Sequence, residues 1–175
     1  MKKCILLFFA VCCCFCSFEV FANDDLKEFP SCKYCGMDRQ RFASSRVVIA
    51  YEDGTTVGTC SLHCAAVDLA INIDKTPKQL LIADYSTKEL IDFDKAFWIL
   101  GGNKPGVMTG RAKWAFAESK SAENFLKVNG GILVNPDQVF RCAYEDMHAD
   151  TQMIREKRKL KRIKMQMQSG PHPQH

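Results

Sequence analysis

Two thiols and a thioether lie close together in residues 32–37, which read Cys-Lys-Tyr-Cys-Gly-Met. Thiolate and thioether sulfur are soft donors that select Cu(I), zinc or iron–sulfur iron over hard cations such as calcium and magnesium. Zinc takes Cys, His and carboxylate ligands rather than thioethers. A ligand role for Met37 beside Cys35 would therefore favour monovalent copper.

A second pair of thiols, Cys60 and Cys64, follows with 24 residues between Cys35 and Cys60. With Cys32 and Cys35 this pair matches a four-cysteine zinc site of the knuckle or treble-clef kind, and His63 is a spare donor in the same turn. Disulfides are a second interpretation. A thiol–disulfide redox protein is a third, but such motifs follow a strand and open a helix, which the residues around Cys32 do not suggest.

Met108 is the remaining candidate ligand, because it lies between Gly106 and Gly110 in a glycine- and proline-rich hairpin loop, an unusual place for a methionine that only packs. The alternative is that it covers an apolar patch, as loop methionines often do. The acidic residues show no paired arrangement suited to acid–base catalysis. The chain also lacks a phosphate-binding glycine loop and a nucleophile elbow. We therefore predict a metal-handling protein that is not an enzyme, with zinc as the alternative to Cu(I).

Residues 1–22 predict a secretory signal peptide, with Lys2 and Lys3 before an apolar run and a small-residue pattern ending at Ala22. We expect its removal and a periplasmic protein. A lipid anchor is not favoured, because no cysteine of the run follows a small residue.

The mature chain keeps five cysteines, Cys32, Cys35, Cys60, Cys64 and Cys142. An odd number means that at least one is free, metal-bound or intermolecular.

Two copies of a β-β-α-β order are predicted after a leader at residues 23–31. The first copy, residues 32–90, has strands at 47–51, 56–60 and 79–84, a turn at Asp53-Gly54 and a helix after Ser61. The second copy, residues 91–142, has strands at 96–100, 113–117 and 132–134 and a helix that begins at Ser119 or Ser121. The predicted fold class is α+β, with two small modules in tandem followed by a charged C-terminal helix.

Residues 143–175 are predicted to form a basic helix and a disordered tail. Their seven basic residues are Arg155, Lys157, Arg158, Lys159, Lys161, Arg162 and Lys164. A basic end on an acidic body argues against a nucleic-acid-binding domain. Peripheral contact with an anionic membrane surface is the functional interpretation of this segment, and a solvated helix is the simpler one.

Over residues 30–142 the chain resembles the NosL family of nitrous oxide reductase accessory proteins. The resemblance rests on Cys35-Gly36-Met37, on the Asp53-Gly54 hairpin with the short helix after it, and on Met108-Thr109-Gly110 ahead of Trp114. It implies a fold related to the organomercurial lyase MerB, a role in denitrification, Cu(I) binding, and copper delivery to nitrous oxide reductase in cooperation with its copper-loading membrane transporter.

On this resemblance, Cys35 and Met37 are predicted as the main copper ligands, with Met108 and Cys32 next. We expect Cys60 and Cys64 to serve the structure of the site rather than delivery, because they lie at a strand-to-helix junction. His63 is at most an auxiliary ligand.

Overall fold

The computed structural model describes residues 24–168. The predicted signal peptide, residues 1–22, and the end of the predicted disordered tail lie outside these residues. The helices are α1 (Asp24–Glu28), α2 (Leu62–Ile71), α3 (Ser119–Asn129), α4 (Pro136–Glu145) and α5 (Met147–Gln168). The strands are β1 (Val47–Tyr51), β2 (Thr56–Thr59), β3 (Pro77–Ala83), β4 (Leu90–Asp92), β5 (Phe97–Leu100), β6 (Lys113–Phe116) and β7 (Ile132–Val134).

The first sheet is antiparallel in the order β2-β1-β3-β4. Apart from Ala50, β1 consists of β-branched and aromatic residues, and it is almost entirely buried, as expected for a central strand. The predicted turn joins β1 to β2, with Gly54 at φ 83° and the Asp53 carboxylate accepting a hydrogen bond from the backbone of Thr55. The short strand β4, which the sequence analysis did not predict, extends the sheet.

The second sheet is antiparallel in the order β6-β5-β7, and α3 packs on it. Its core is aromatic: the Tyr85 ring contacts the rings of Trp114, Phe116 and Phe125, and Phe116 also contacts Phe125. α3 ends at Gly130, whose φ of 70° and ψ of −163° form a backbone conformation that is essentially restricted to glycine. Each sheet therefore contains the predicted β-β-α-β order, and the α+β fold class is confirmed.

The two sheets share a core and a backbone junction. One buried cluster contains Val47 and Ile82 from the first sheet, Trp98 and Ala115 from the second, and Val139 from α4. Asp84, directly after β3, forms a parallel bridge with Ala115 in β6. The two sheets are thus held together by side-chain packing and by backbone pairing.

The C-terminal helical region begins earlier than the sequence analysis predicted. Asn135 and Gln138 form a capping box at the start of α4, and Pro136 occupies the first turn, where its missing N–H costs nothing. α5 follows after Asp146 and carries the predicted basic residues. Within residues 24–168, no helix combines the length and apolar character that crossing a bilayer requires.

Candidate metal centre

The sulfur atoms of Cys32, Cys35, Cys60 and Cys64 all lie within 4.8 Å of one another. The Sγ atoms of Cys35 and Cys60 are 3.4 Å apart, and those of Cys60 and Cys64 are 3.8 Å apart. All four cysteines are free thiols. Four soft donors at such separations can surround one metal ion, so the structure brings the two predicted cysteine pairs into one cluster.

A tight turn presents Cys32 and Cys35 to this cluster. The amide of Gly36 donates to the carbonyl of Cys32 at 2.9 Å, and the amide of Cys32 donates to the carbonyl of Met37 at 2.8 Å. Gly36 has a φ of 71°, a conformation that glycine adopts without steric cost. The turn therefore directs both thiols of the Cys-x-x-Cys motif toward the same side.

The junction between β2 and α2 supplies the other two thiols. Cys60 directly follows β2, and Cys64 lies in the first turn of α2, with Ser61 at the helix N-cap. The hydroxyl of Ser45 donates to the carbonyl of Cys60 at 2.8 Å and fixes the junction. Cys60 and Cys64 are four residues apart and lie on one face of the junction, as the spacing requires.

Both predicted thioether ligands pack against the cysteine cluster. Met37 and Met108 are half-buried beside Cys32, Cys60 and Cys64. Met108 has a φ of 60°, which is uncommon for a residue other than glycine and is found most often at functional sites. Tertiary contacts hold its loop in this conformation, because Gly110 donates its amide to the Asp150 carboxylate at 2.8 Å.

The donors differ in their access to solvent. Cys32, Cys60 and Cys64 are 2%, 0% and 2% exposed, whereas Cys35, Met37 and Met108 are half-buried. The site therefore has a closed side made of three thiols and an open edge made of one thiol and two thioethers. A metal ion would enter and leave past that open edge.

The thiols also differ in acidity. Hydrogen bonds from the Cys35, Cys60 and Cys64 thiols to the Cys32 sulfur hold the pKa of Cys32 below its usual range. The contact with Cys32 raises the pKa of Cys35, but hydrogen bonds from Cys60 and Cys64 outweigh it and lower that pKa. The pKa values of Cys60 and Cys64 are raised, in each case chiefly by the contact with Cys32. Cys32 and Cys35 therefore form thiolates more readily than Cys60 and Cys64 do.

A buried carboxylate on α2 fastens the Cys-x-x-Cys turn. Asp68 accepts hydrogen bonds from the hydroxyls of Tyr34 and Tyr51, and Lys33 Nζ lies 3.1 Å from Asp68 Oδ1. Burial would raise the pKa of Asp68, but these hydrogen bonds outweigh it and hold the pKa below its usual range. Both residues between the two cysteines of the motif are thus tied to the helix that carries Cys64.

An ionic cluster lies behind the thiols. Asp25 of α1 bridges the guanidinium groups of Arg39 and Arg46, which are both 0% exposed, at distances of 2.8 Å and 2.9 Å. Arg39 also donates to the carbonyl of Thr59, the residue before Cys60. The cluster therefore connects the predicted leader with the strand end that carries a thiol.

His63, predicted as an auxiliary ligand, lies beside Asp150 of α5. Its Nδ1 is 3.4 Å from Asp150 Oδ2, and burial lowers the pKa of the imidazole. In the described residues, the donors within mutual metal-binding distance are the four cysteines and do not include His63. The fifth thiol, Cys142, is on α4 and is half-buried.

The sequence analysis missed Asp25, Asp68 and Asp150 as residues that shape the site. Asp68 had a detectable signal, because it is the one acidic residue of α2 and lies one helical turn after Cys64. Asp25 and Asp150 had none, because their partners are distant in the sequence.

Comparisons with known proteins identify a family and a similar fold. A family model described as NosL matches residues 24–143. The crystal structure of the copper chaperone NosL from Shewanella denitrificans is similar in fold, with a TM-score of 0.50 and 21% sequence identity. The alignment covers 61% of this chain and 87% of the Shewanella chain. A search of curated proteins gave no significant match.

Proposed function

We propose that this chain, which belongs to the NosL family, is an exported Cu(I) chaperone that supplies copper for the maturation of nitrous oxide reductase. One observation carries the copper assignment: four thiols within 4.8 Å of one another, with two thioethers packed against them. This donor set is soft throughout, as Cu(I) requires. The fold shared with a protein described as a copper chaperone supports the assignment.

The ligand roles follow from solvent access. Cys35 and Met37 lie at the open edge, so we assign them the main contacts with the copper that is exchanged. Met108 completes that edge, and Cys32 supplies the more acidic thiolate behind it. Cys60 and Cys64 are within coordination distance and can hold the ion when it moves inward.

Copper transfer needs no change in oxidation state and no catalytic group. A donor from the receiving protein would bind Cu(I) at the open edge, and one of the chaperone's own ligands would then leave. The half-buried position of Cys35, Met37 and Met108 allows this exchange, whereas a cage closed on all sides would retain its metal. The chain would therefore act as a carrier rather than as an enzyme.

The proposed location and partners rest on the sequence signal for export and on the family. We place the protein in the periplasm, where it would receive or deliver copper together with the membrane transporter that loads nitrous oxide reductase. The test is direct transfer: Cu(I)-loaded chaperone is mixed with copper-free nitrous oxide reductase, and the two are separated and analysed for copper. Copper that stays with the chaperone would contradict delivery.

Cu(I) binding is tested by titration against a competing Cu(I) chelator with Cys35→Ser and Met37→Leu. We expect each change to weaken Cu(I) binding by at least about tenfold, which corresponds to about 1.4 kcal/mol. The matched controls are Cys142→Ser, a thiol outside the cluster, and Met165→Leu, an exposed methionine on α5. Unchanged affinity in both site variants would refute the assignment of the open edge.

A structural zinc site is the second candidate, and the separation between the Cys60 and Cys64 sulfur atoms favours it. Tetrahedral coordination at a Zn–S distance of about 2.3 Å places the sulfur atoms about 3.8 Å apart, close to the 3.8 Å between Cys60 and Cys64. A structural zinc ion would make folding depend on metal. Removal of metal by a chelator distinguishes the two functions. A large drop in melting temperature would indicate a structural zinc site, and a retained cooperative unfolding transition would support a transfer site.

A further inference from the structure

The outer part of α5, residues 155–168, is a strongly basic surface. All of its residues are exposed, and it contains seven basic residues and one acidic residue, Glu156. In residues 23–154 acidic side chains outnumber basic ones. The net positive charge of the chain after the predicted signal peptide therefore comes from this one helical segment.

The same segment presents an apolar stripe. Leu160, Ile163 and Met167 follow one another at intervals of three and four residues, which places them on one face of the helix. Their exposed fractions are 65%, 41% and 79%. Lysine and arginine side chains occupy the flanks of this stripe, so the segment has the character of a cationic amphipathic helix.

α5 also contacts the metal centre at two points, one in its first turn and one within residues 155–168. Asp150 accepts from the amide of Gly110, next to the Met108 loop, and Arg158 donates to the carbonyl of Cys35 at 3.2 Å. The amphipathic segment therefore extends from the open edge of the cysteine cluster rather than from a remote part of the fold.

We propose that residues 155–168 form a docking surface for an anionic phospholipid bilayer. The cationic side chains would bind the lipid phosphates, and Leu160, Ile163 and Met167 would enter the boundary between headgroups and acyl chains. Charge complementarity and the amphipathic pattern together favour a membrane over an acidic protein, because an acidic protein surface offers no layer for the apolar stripe. Docking would bring the open edge of the metal centre close to the bilayer.

The experiment is co-sedimentation of the metal-free mature chain with vesicles, so its result does not depend on copper binding. One set of vesicles contains phosphatidylglycerol and phosphatidylcholine, and the other contains phosphatidylcholine alone. We expect binding to the anionic vesicles in dilute buffer and its loss at ~1 M salt, where the Debye length is about 3 Å. Binding that is equal for both vesicle types would overturn the proposal.

Two matched variants assign the binding to α5. The test variant carries glutamine at Lys159, Lys161, Arg162 and Lys164, and the control carries glutamine at four exposed lysines elsewhere, Lys78, Lys95, Lys104 and Lys120. Glutamine preserves helix propensity, and circular dichroism verifies that both variants are folded. We expect the test variant to lose at least about tenfold in partitioning and the control to lose far less. Equal partitioning of the two variants would refute the assignment.

A third variant replaces Leu160, Ile163 and Met167 with glutamine and tests the apolar stripe. We expect weaker vesicle binding at every salt concentration, because the charges remain but the insertion is lost. If the stripe instead joins two copies of the chain, the unmodified protein will dimerise in sedimentation equilibrium without vesicles and the variant will not. That outcome would overturn the membrane proposal.

Discussion

The hydrogen bonds to Asp68 allow stability and metal binding to be separated with two closely matched substitutions. Tyr34 lies inside the Cys-x-x-Cys motif, Tyr51 lies at the end of β1, and each donates its hydroxyl to the Asp68 carboxylate. Tyr34→Phe and Tyr51→Phe therefore remove the same chemical group from the same acceptor. Only the first change releases the turn that carries two of the four clustered thiols.

A hydrogen bond to a charged group contributes about 1.5–3 kcal/mol to folding. We expect each variant to lose about that much free energy of unfolding. In a chain of this length, 1 kcal/mol corresponds to about 2–4 °C in melting temperature. In Tyr34→Phe the turn must also be ordered when metal binds, so Cu(I) affinity should fall by at least about tenfold, or about 1.4 kcal/mol. Tyr51→Phe should retain the affinity of the unmodified protein.

Urea unfolding of the metal-free proteins gives the free energy of unfolding, and titration against a competing chelator gives the Cu(I) affinity. Equal Cu(I) affinities in Tyr34→Phe and Tyr51→Phe would refute the positioning role of the Asp68 contacts.

The pH dependence of the free energy of unfolding supplies a second check, with Asp68→Asn as the variant. The pKa of Asp68 is lowered in the folded state, so its ionised form stabilises the fold above the unfolded value of about 3.9. The stability difference between the unmodified protein and Asp68→Asn should therefore disappear as the pH falls through the pKa of Asp68 in the folded state.

Three further outcomes are expected. Asp25→Asn removes the carboxylate between two wholly buried guanidinium groups and should cost about 3–5 kcal/mol of stability in urea unfolding; a loss below 1 kcal/mol would contradict a structural role for this carboxylate. Gly58→Ala should cost about 1–3 kcal/mol, because its Cβ would lie 2.5 Å from the Phe29 Cβ, and an unchanged urea midpoint would contradict this packing. Limited alkylation mapped by mass spectrometry should modify Cys35 first among the clustered thiols and spare it after Cu(I) loading, whereas labelling of Cys142 should not respond to copper.

The sequence predicted the two hairpins and their helices because local signals define them. The Asp53-Gly54 turn sits between two β-branched runs, and the apolar spacing after Ser61 fits one helix face. β4 was not predicted, because it has three residues and exists through its pairing with β3. The start of α4 was also missed, although Asn135, Pro136 and Gln138 form a recognisable capping pattern.

The metal centre could be predicted only in part. Residue type identified the six sulfur donors, but their distances depend on how the turn at residues 32–37 packs against the junction at Cys60. The sequence supported either a delivery site at Cys35 and Met37 or a four-cysteine cage. In the structure the donors of both sites belong to one cluster. The identity of the residues alone therefore could not distinguish a delivery site from a four-cysteine cage.

The thiols of the cluster differ both in solvent access and in acidity. Three thiols are almost fully buried and two of them, Cys60 and Cys64, retain their protons most strongly, while Cys35 lies at the open edge with the thioethers. Under the proposed function, a Cu(I) ion at this edge would be bound by the Cys35 thiolate and by neutral methionine sulfur, which is a weaker donor set than four thiolates. Binding by all four cysteines would also require Cys60 and Cys64 to lose their protons, against the raised pKa values of both thiols. The proposal therefore places the transferable ion at the edge, where a receiving protein could reach it.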